Sequence, residues 1–351
     1  MSETSALSRA PAVYTVAEAI DPAWLTLALA PLTGGAPVAD VEVVEVIRTA
    51  HTKIRFRAAW VGGAAALCLK GPLETPRRGT AGKERQLMEA DFYSELAPHL
   101  SVRLPSCVAT VYDRPTGYAT LIFRDLIEAG AHFCGALEPF TVDQVAATLE
   151  QYARLHAGAP LLERAPWVPR MVADLVAWNI VTPEKLQDLL HGPRGQRLKP
   201  ATRDAGRLIA GMNALAELDA SRPATLLHGD AHAGNIFRMP EGPGLTDFVT
   251  VQRGGWALDV AYFLNAALPV ETAAAHEWGL LEHYLDTARR LGAPVPADPE
   301  AARAEYRTSA IYGFYMWSIT TLIDPAITET FVDRLGNAVE RLDSFRGVGL
   351  G

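Results

Sequence analysis

The segment from Leu227 to Asn235 contains residue types that could carry out chemistry in this chain. It places the carboxylate of Asp230 five residues before the carboxamide of Asn235, and a second carboxylate, Asp247, follows twelve residues after Asn235. Oxygen ligands of this kind suit Mg²⁺, and a further carboxylate can orient a hydroxyl group and accept its proton. The spacing is therefore that of a phosphoryl-transfer site.

The order of His228, Asp230 and Asn235 reproduces the spacing of the protein-kinase catalytic loop, in which the Asp orients the attacking hydroxyl and the Asn holds Mg²⁺. We expect Asp230 to be the catalytic base, with Asn235 and Asp247 as the metal ligands. A lone His-x-Asp is common by chance, and an isolated Asp before Phe248 is more often a turn residue than a ligand. The complete ordered set favours the catalytic interpretation.

Composition indicates a globular enzyme. Hydrophobic residues make up 49% of the 351-residue chain, which is enough for a large core divided between two lobes or domains. The net charge of −8 contains no long block of one sign, so we expect no nucleic-acid partner. No stretch approaches the roughly 20 apolar residues that cross a membrane, so we expect no membrane partner and a cytoplasmic location. Cys68, Cys107 and Cys134 show no CxxC spacing and are predicted to be buried free thiols.

The first part of the chain alternates in the manner of strands. A short helix is predicted at 22–32, with Asp21 capping its first turn. Three antiparallel strands (41–47, 53–61 and 64–70), a helix (81–96) and a second hairpin (108–112 and 118–123) follow. Strands then become rare.

The remainder of the chain is mainly helical in pattern. Helices are predicted at 142–156, 171–179, 183–190, 201–218, 259–267, 273–291 and 300–321. Short β segments at 225–229 and 235–248 interrupt them. We therefore predict an α+β, bilobal protein-kinase-like fold. Residues 1–124 would form a nucleotide-binding lobe with a small antiparallel sheet and a mobile start at 1–17, and 125–351 a larger helical lobe with the catalytic loop, metal site and acceptor pocket.

The motif His228–Asn235 resembles the catalytic loop of the aminoglycoside phosphotransferase and choline kinase group, which shares the protein-kinase fold and phosphorylates hydroxyls of small molecules. The spacing from Asp247 to Asp259, with the intervening Gly254-Gly255-Trp256, is similar to that of ecdysteroid-kinase-like members. As an order of motifs, the resemblance covers roughly residues 40–320.

Upstream, Leu67-Cys68-Leu69-Lys70 resembles the strand that carries the nucleotide lysine. An ammonium group against the nucleotide phosphates needs a carboxylate to hold its long side chain. Glu89 is the preferred partner of Lys70, ahead of Glu84 and Glu95, although three glutamates on one helix are also typical of a solvated face.

Further site residues follow from the same resemblance. The segment 121–126 is similar to the hinge, which implies that Phe123 and Asp125 contact the nucleotide. His228 and Asp259 are expected to fix the backbone of the catalytic loop, and His232 to approach the phosphates, so His228 and His232 are grouped with Asp230 as catalytic.

The loop between the first two strands, residues 48–52, has no glycine where many kinases use a glycine-rich cover for the phosphates. Backbone groups and the hydroxyls of Thr49 and Thr52 are expected to do that work, or the loop binds nucleotide loosely. No Walker A sequence occurs in the chain, which argues against a P-loop enzyme. The expected cofactors are ATP or GTP, with Mg²⁺.

The acceptor is predicted to be a small molecule with a hydroxyl group, bound by the helical lobe. Aromatic residues such as those at 312–317 either fill the core of this lobe or wall an apolar pocket. An aminoglycoside pocket should present clustered acidic side chains to a polycation, and no dense acidic run follows Asp259. A neutral or lipophilic alcohol is mildly preferred, with an aminoglycoside or other antibiotic as the alternative.

Two other classes of protein remain open. One is a non-catalytic nucleotide-binding module on the same fold, against which the retention of the four residues Lys70, Asp230, Asn235 and Asp247 argues. The other is a protein kinase, against which Gly229 in place of the usual arginine and the lack of an Ala-Pro-Glu segment argue. The chain is expected to be a monomer or a homodimer.

Overall fold

The computed structural model describes residues 6–48, 51–74 and 87–351, and these divide into two compact units. The N-terminal unit runs to His132 and also includes Thr246–Thr250. The C-terminal unit consists of Phe133–Leu245 and Val251–Gly351. The sequence pattern places the end of the first lobe at 124, and the first unit continues to His132.

A six-stranded sheet forms the framework of the N-terminal unit, in the order β1-β5-β6-β4-β3-β2. Its strands are β1 (Ala6–Leu7), β2 (Val38–Arg48), β3 (Thr52–Trp60), β4 (Gly63–Gly71), β5 (Cys107–Asp113) and β6 (Tyr118–Arg124). The predicted meander and hairpin are both present. Gly62, at φ +97°, makes the tight turn between β3 and β4, because glycine adopts positive φ without steric cost. This places Lys70 at the end of β4.

The segment 6–17, expected to be mobile, is instead packed on this sheet; residues 1–5 lie outside the described part. β1 pairs parallel to β5, and Ala10 and Val13 are buried in the core. The indole Nε1 of Trp24 donates to the carbonyl of Pro11 at 2.7 Å. The segment is mostly polar, which indicated mobility, but a few of its apolar residues are buried and fix it to the sheet.

Short helices complete the N-terminal unit. They are α1 (Val16–Ala19), α2 (Pro22–Ala28) and α3 (Ala30–Thr33). Asp21 caps α2 through the N–H of Trp24, as the sequence predicted. Residues 87–91 are helical and continue as a π-helix, Phe92–Leu96, and a 3₁₀ turn, Ala97–His99. The predicted beginning of this helix, including Glu84, lies outside the described residues.

The C-terminal unit is built mainly from helices. They are α4 (Val142–His156), α5 (Val172–Ala177), α6 (Pro183–His191), α7 (Ala205–Ser221), α8 (Ala257–Ala267), α9 (Val270–Leu291), α10 (Pro299–Ser318), α11 (Pro325–Arg341) and α12 (Ser344–Gly347). The sequence analysis missed α11, although Asp324 caps it and Pro325 occupies its first turn, which are ordinary start signals. The helix α8 is buried along its whole length, as its continuous apolar run requires.

Two small β structures interrupt the helices. β7 (His132–Phe133) lies at the boundary, β8 (Thr225–Leu227) pairs antiparallel with β11 (Gln252–Gly254), and β9 (Ile236–Met239) forms a hairpin with β10 (Gly242–Leu245). The loop that carries the catalytic motif therefore runs from the end of β8 to the start of β9. Two antiparallel pairs fix its ends.

Cys107 and Cys134 are buried free thiols as predicted, whereas Cys68 is partly exposed. Among the described residues, no helix has the length and apolar character needed to cross a membrane.

Candidate active site

Lys70 lies between two carboxylates in the N-terminal unit. Its Nζ is 2.6 Å from Oε2 of Glu89 and 2.7 Å from Oδ1 of Asp247. Glu89, only 2% exposed, also accepts the backbone N–H of Phe248 at 3.2 Å. Glu89, the partner preferred from the sequence, therefore pairs with Lys70, and Glu84 lies outside the described residues.

The charges of this group follow from its geometry. Burial lowers the pKa of Lys70, but the charges and hydrogen bonds of Asp247 and Glu89 outweigh it, so the pKa lies above its ordinary value. Burial raises the pKa of Asp247, but the charge and hydrogen bond of Lys70 outweigh it and the pKa is held well below its usual range. Lys70 is therefore a cation and Asp247 an anion at neutral pH.

The backbone at Asp247 has φ +70°, in the left-handed region that costs a non-glycine residue about 1–2 kcal/mol. The next residue, Phe248, is fully buried and stacks on Phe92 with ring centroids 3.9 Å apart. Packing of this ring offsets the local strain. It also anchors Asp247, whose side chain is 33% exposed, beside Lys70.

The loop of residues 228–235 in the C-terminal unit, predicted to be catalytic, is held by the carboxylate of Asp259, which is fully buried in the first turn of α8. Its two oxygens accept the backbone N–H groups of His228 at 2.7 Å and of Gly229 at 2.9 Å. Nε2 of His156 lies 3.2 Å from the same carboxylate. Gly229 has φ +80°, which explains a glycine at this position.

The ring of His228 also serves the backbone of the loop. It is fully buried, and its Nδ1 accepts the N–H of Asp230 at 3.2 Å. From the other side, the hydroxyl of Tyr312 donates to the carbonyl of Gly229 at 2.6 Å, and Gln252 donates to that hydroxyl at 2.8 Å. His228 therefore positions the loop.

Each carboxylate oxygen of Asp230 has its own partner. The hydroxyl of Tyr262 donates to Oδ1 at 2.9 Å, and Nε2 of His232 lies 3.5 Å from Oδ2. Nδ1 of His232 accepts the N–H of Gly234 at 3.0 Å, so the ring proton resides on Nε2 and faces the carboxylate. The carboxylate side chain is 27% exposed, which leaves it accessible to a reactant.

The same partners set the charge of Asp230. Burial raises the pKa of its carboxyl, but electrostatic attraction and hydrogen bonding from His232, attraction from His228 and the Tyr262 hydroxyl together outweigh it. The net pKa lies below its ordinary value. Asp230 is thus ionised at neutral pH and can accept a proton.

Asn235 directs its amide group inward, because Nδ2 donates to the carbonyl of Asp230 at 2.9 Å. This hydrogen bond fixes the carboxamide and assigns Oδ1 as the group that can bind a cation. Asn235 belongs to the C-terminal unit and Asp247 to the N-terminal unit. Each side chain offers a hard oxygen of the kind that suits Mg²⁺, an ion that keeps some of its waters and bridges phosphates.

Residues 63–302 of the chain match the model of the Phosphotransferase enzyme family. The chain belongs to this family. The predicted membership of the aminoglycoside phosphotransferase and choline kinase group is thereby confirmed, as is the predicted kinase-like fold class. The finer likeness to ecdysteroid-kinase-like members stays a prediction.

Solved structures resemble this phosphotransferase in fold. The GDP complex of aminoglycoside 2'-phosphotransferase-IIIa has a TM-score of 0.50 at 12% identity, over 92% of this chain and 99% of that one. Amicoumacin kinase hAmiN, in complex with AMP-PNP, Ca²⁺ and Ami, has a TM-score of 0.50 at 14% identity, over 86% and 88%. An aminoglycoside-3'-phosphotransferase of type VIII is 21% identical, with a TM-score of 0.47 over 81% and 97%. No curated protein matches the chain.

The family and the fold together identify the chain as a small-molecule phosphotransferase.

Two other residues predicted to bind nucleotide, Thr52 and Asp125, use their side chains in contacts within the N-terminal unit of this phosphotransferase. Thr52 donates its hydroxyl to the carbonyl of Leu73 at 2.7 Å, and Thr49 lies outside the described residues. Asp125 forms an ion pair with Arg55 at 2.9 Å and accepts the N–H groups that follow it at 127 and 128.

Phe123 is also committed to packing. It is buried and contacts Tyr93 edge-on, with ring centroids 4.9 Å apart. Any contribution of the segment 121–126 to nucleotide binding would therefore come from the backbone or from a reorganised side chain.

Sequence reasoning missed three residues that support the catalytic loop: Tyr262, Tyr312 and Gln252. Tyr262 follows Asp259 by three residues on the same helix, so both face one side, and this spacing was a usable signal. Tyr312 and Gln252 lie on α10 and β11, far from the motif in sequence. No local pattern connects them with it.

Proposed function

We propose that this phosphotransferase moves the γ-phosphate of ATP or GTP to a hydroxyl group of a small molecule. Asp230 is the catalytic base, and Asn235 and Asp247 are the ligands of Mg²⁺. The observation that best supports this proposal is the carboxylate of Asp230: it is ionised and accessible, accepts a hydrogen bond from Tyr262 on one oxygen, and lies 3.5 Å from Nε2 of His232 through the other.

The roles of the other residues follow from their contacts. The magnesium nucleotide, when bound, supplies the phosphoryl group and neutralises its developing charge. Lys70 offers its ammonium to the phosphates while Glu89 holds the side chain in place. Asp230 orients the acceptor hydroxyl and takes its proton, and Asp259 keeps the loop in the required conformation.

The experiment is ADP release from ATP and Mg²⁺ across a library of hydroxyl compounds, with the wild type and Asp230→Asn. A general base contributes typically 10²–10⁴-fold, so we expect a loss of kcat of that order in the variant. Thermal shift with nucleotide should be unchanged, since Asp230 is assigned to the acceptor. Asp286→Asn, at a side chain that is 67% exposed, is the matched control and should keep full activity.

Retained turnover in Asp230→Asn would refute the assignment of the base. Nucleotide binding without transfer to any acceptor in the wild type would instead point to a regulatory module. A response to aminoglycosides alone would name an antibiotic kinase.

A further inference from the structure

The C-terminal unit contains a cavity of about 470 Å³, and none of the residues that line it has a role in the function proposed above. The 3₁₀ turn at Pro193–Gly195, the start of α9 and the first half of α11 surround it. Six of its lining residues are charged: Arg194, Arg197, Arg334, Glu271, Glu329 and Asp333. These charges come from three segments that are distant in sequence.

Two of the guanidinium groups are bonded only to backbone carbonyls. Arg334, 9% exposed, donates from Nη1 to Ala266 at 2.8 Å. Arg194 donates from Nη1 to Ser318 at 3.1 Å and to Thr320 at 2.8 Å. Within the described ranges, neither forms an ion pair. Both therefore keep further N–H donors that these hydrogen bonds do not use.

Desolvation marks the same two groups. Burial lowers the pKa of Arg334, opposed by the charge of Asp333, and it lowers the pKa of Arg194, opposed by the charge of Glu329. A guanidinium that has lost water and lacks a carboxylate partner is costly unless an anion supplies the missing charge. Arginine is also the side chain best suited to bind an oxyanion through two parallel hydrogen bonds.

The three carboxylates that line the cavity, Glu271, Glu329 and Asp333, are exposed or partly exposed. Asp333 lies 3.4 Å from Arg197, whose side chain is 75% exposed at the rim. Glu271 is exposed in the first turn of α9, where the helix dipole favours an acidic residue. Arg334 is therefore the one buried charge among the six charged residues that line the cavity.

The cavity shares two helices with the surroundings of Asp230. Ala266, which accepts the hydrogen bond from Arg334, lies four residues after Tyr262 on α8, a rise of about 6 Å. On α11, Phe331 precedes Arg334 by three residues, and its ring centroid is 5.5 Å from that of His232. Arg334 and the carboxylate of Asp230 are thus connected through the same packed elements.

We propose that this cavity anchors the acceptor, and that the acceptor is a small hydroxy compound bearing an oxyanion, such as a carboxylate or a phosphate monoester. Arg334 and Arg194 would bind that group. The inference rests on the proposed function, whose acceptor it specifies. It differs from the neutral or lipophilic alcohol that the sequence favoured, and a polycation would meet the buried charge of Arg334 and the partly exposed charge of Arg194.

The test compares acceptors of matched size: a sugar acid, a sugar phosphate, the neutral sugar and an amino sugar. ADP release is measured with the wild type, Arg334→Met and the control Arg346→Met, whose side chain is 80% exposed and does not line the cavity. We expect turnover of the sugar acid or the sugar phosphate, and these two arms distinguish the sources of the oxyanion. In Arg334→Met the acceptor KM should rise at least tenfold, with the nucleotide KM unchanged.

Equal turnover of the neutral or amino sugar, or an acceptor KM insensitive to Arg334, would overturn the inference and leave the proposed function intact. Because Arg334 is buried, its variant can fail to fold. Arg194→Met, at a partly exposed side chain, then takes its place, with the same expected rise in KM.

Absence of turnover with every acceptor would count against the proposed function. In that case, titration of the wild type with inorganic phosphate and with acetate decides the inference separately. Binding that is lost in Arg194→Met and kept in Arg346→Met would support the anion site, and no binding would reject it.

Discussion

Removal of the Tyr262 hydroxyl is the sharpest test of how Asp230 is prepared for catalysis. In Tyr262→Phe the ring remains in the fully buried core of α8, and the carboxylate of Asp230 loses the donor that lies 2.9 Å from Oδ1. His232 and the backbone of the loop are untouched. The substitution therefore isolates one hydrogen bond to an ionised group.

The magnitude follows from that hydrogen bond. A hydrogen bond to a charged group contributes about 1.5–3 kcal/mol. Water can reach the carboxylate, which is 27% exposed, and can partly replace the lost hydrogen bond. We therefore expect the stabilisation of the carboxylate to fall by about 1–2 kcal/mol. This corresponds to a fall in kcat of roughly 5–30-fold.

The same substitution should move the pH profile. The pKa of Asp230 is depressed, so its base function is lost as the pH falls through that value. Loss of the Tyr262 donor raises the pKa, by at most about one unit if the hydrogen bond is worth about 1.4 kcal/mol. The acid limb of kcat should therefore shift to higher pH, and the stability that Asp230 contributes above its unfolded pKa should decrease.

The assay is ADP release as a function of pH, with Tyr112→Phe as the control, because the Tyr112 hydroxyl contacts the neutral Ser94 at 3.0 Å. The control should keep kcat and its acid limb. If Tyr262→Phe also keeps both while its thermal stability drops, Tyr262 is only a core residue and the reasoning is wrong.

Further predictions concern other contacts. Glu89→Gln should lower the free energy of unfolding by about 1–3 kcal/mol and raise the nucleotide KM, because Lys70 then keeps only one carboxylate partner. Urea unfolding measures the first effect and ADP release the second. An unchanged nucleotide KM would contradict the role of the pair. Asp259→Asn should lower the free energy of unfolding by about 1–3 kcal/mol and lower kcat, because the amide of asparagine cannot accept both backbone N–H groups. A variant with wild-type kcat would contradict this role of Asp259. Burial and the charge of Asp125 raise the pKa of the Cys68 thiol to about 11. Alkylation of Cys68 at pH 8, measured by mass spectrometry, should therefore be roughly a hundredfold slower than in the unfolded chain. Equal rates in the folded and unfolded chains would refute the shift.

The sequence predicted those features that depend on local pattern. The strands of the meander alternate, and Lys70 follows an apolar strand, so both were visible without a structure. The order from His228 to Asp247 is likewise a matter of spacing along the chain.

Features assembled from distant segments were not visible. The donors to Asp230 and Gly229 include tyrosines on α8 and α10, and an aromatic residue in a helix is ordinarily assigned to the core. The charged residues that line the cavity likewise come from distant segments, 194–197, 271 and 329–334. Proximity in space has no signature in a single sequence.

The position of Thr246–Thr250 in the sequence affects how the protein can be divided into fragments or recombined with its relatives. These five residues belong to the N-terminal unit, yet more than a hundred residues of the other unit are encoded before them. A gene fragment that ends at His132 would produce Lys70 and Glu89 without Asp247. An exchange of residues 1–132 alone between relatives would likewise separate Asp247 from Lys70 and Glu89, and a fragment has to extend to Thr250 to hold all three together with this segment.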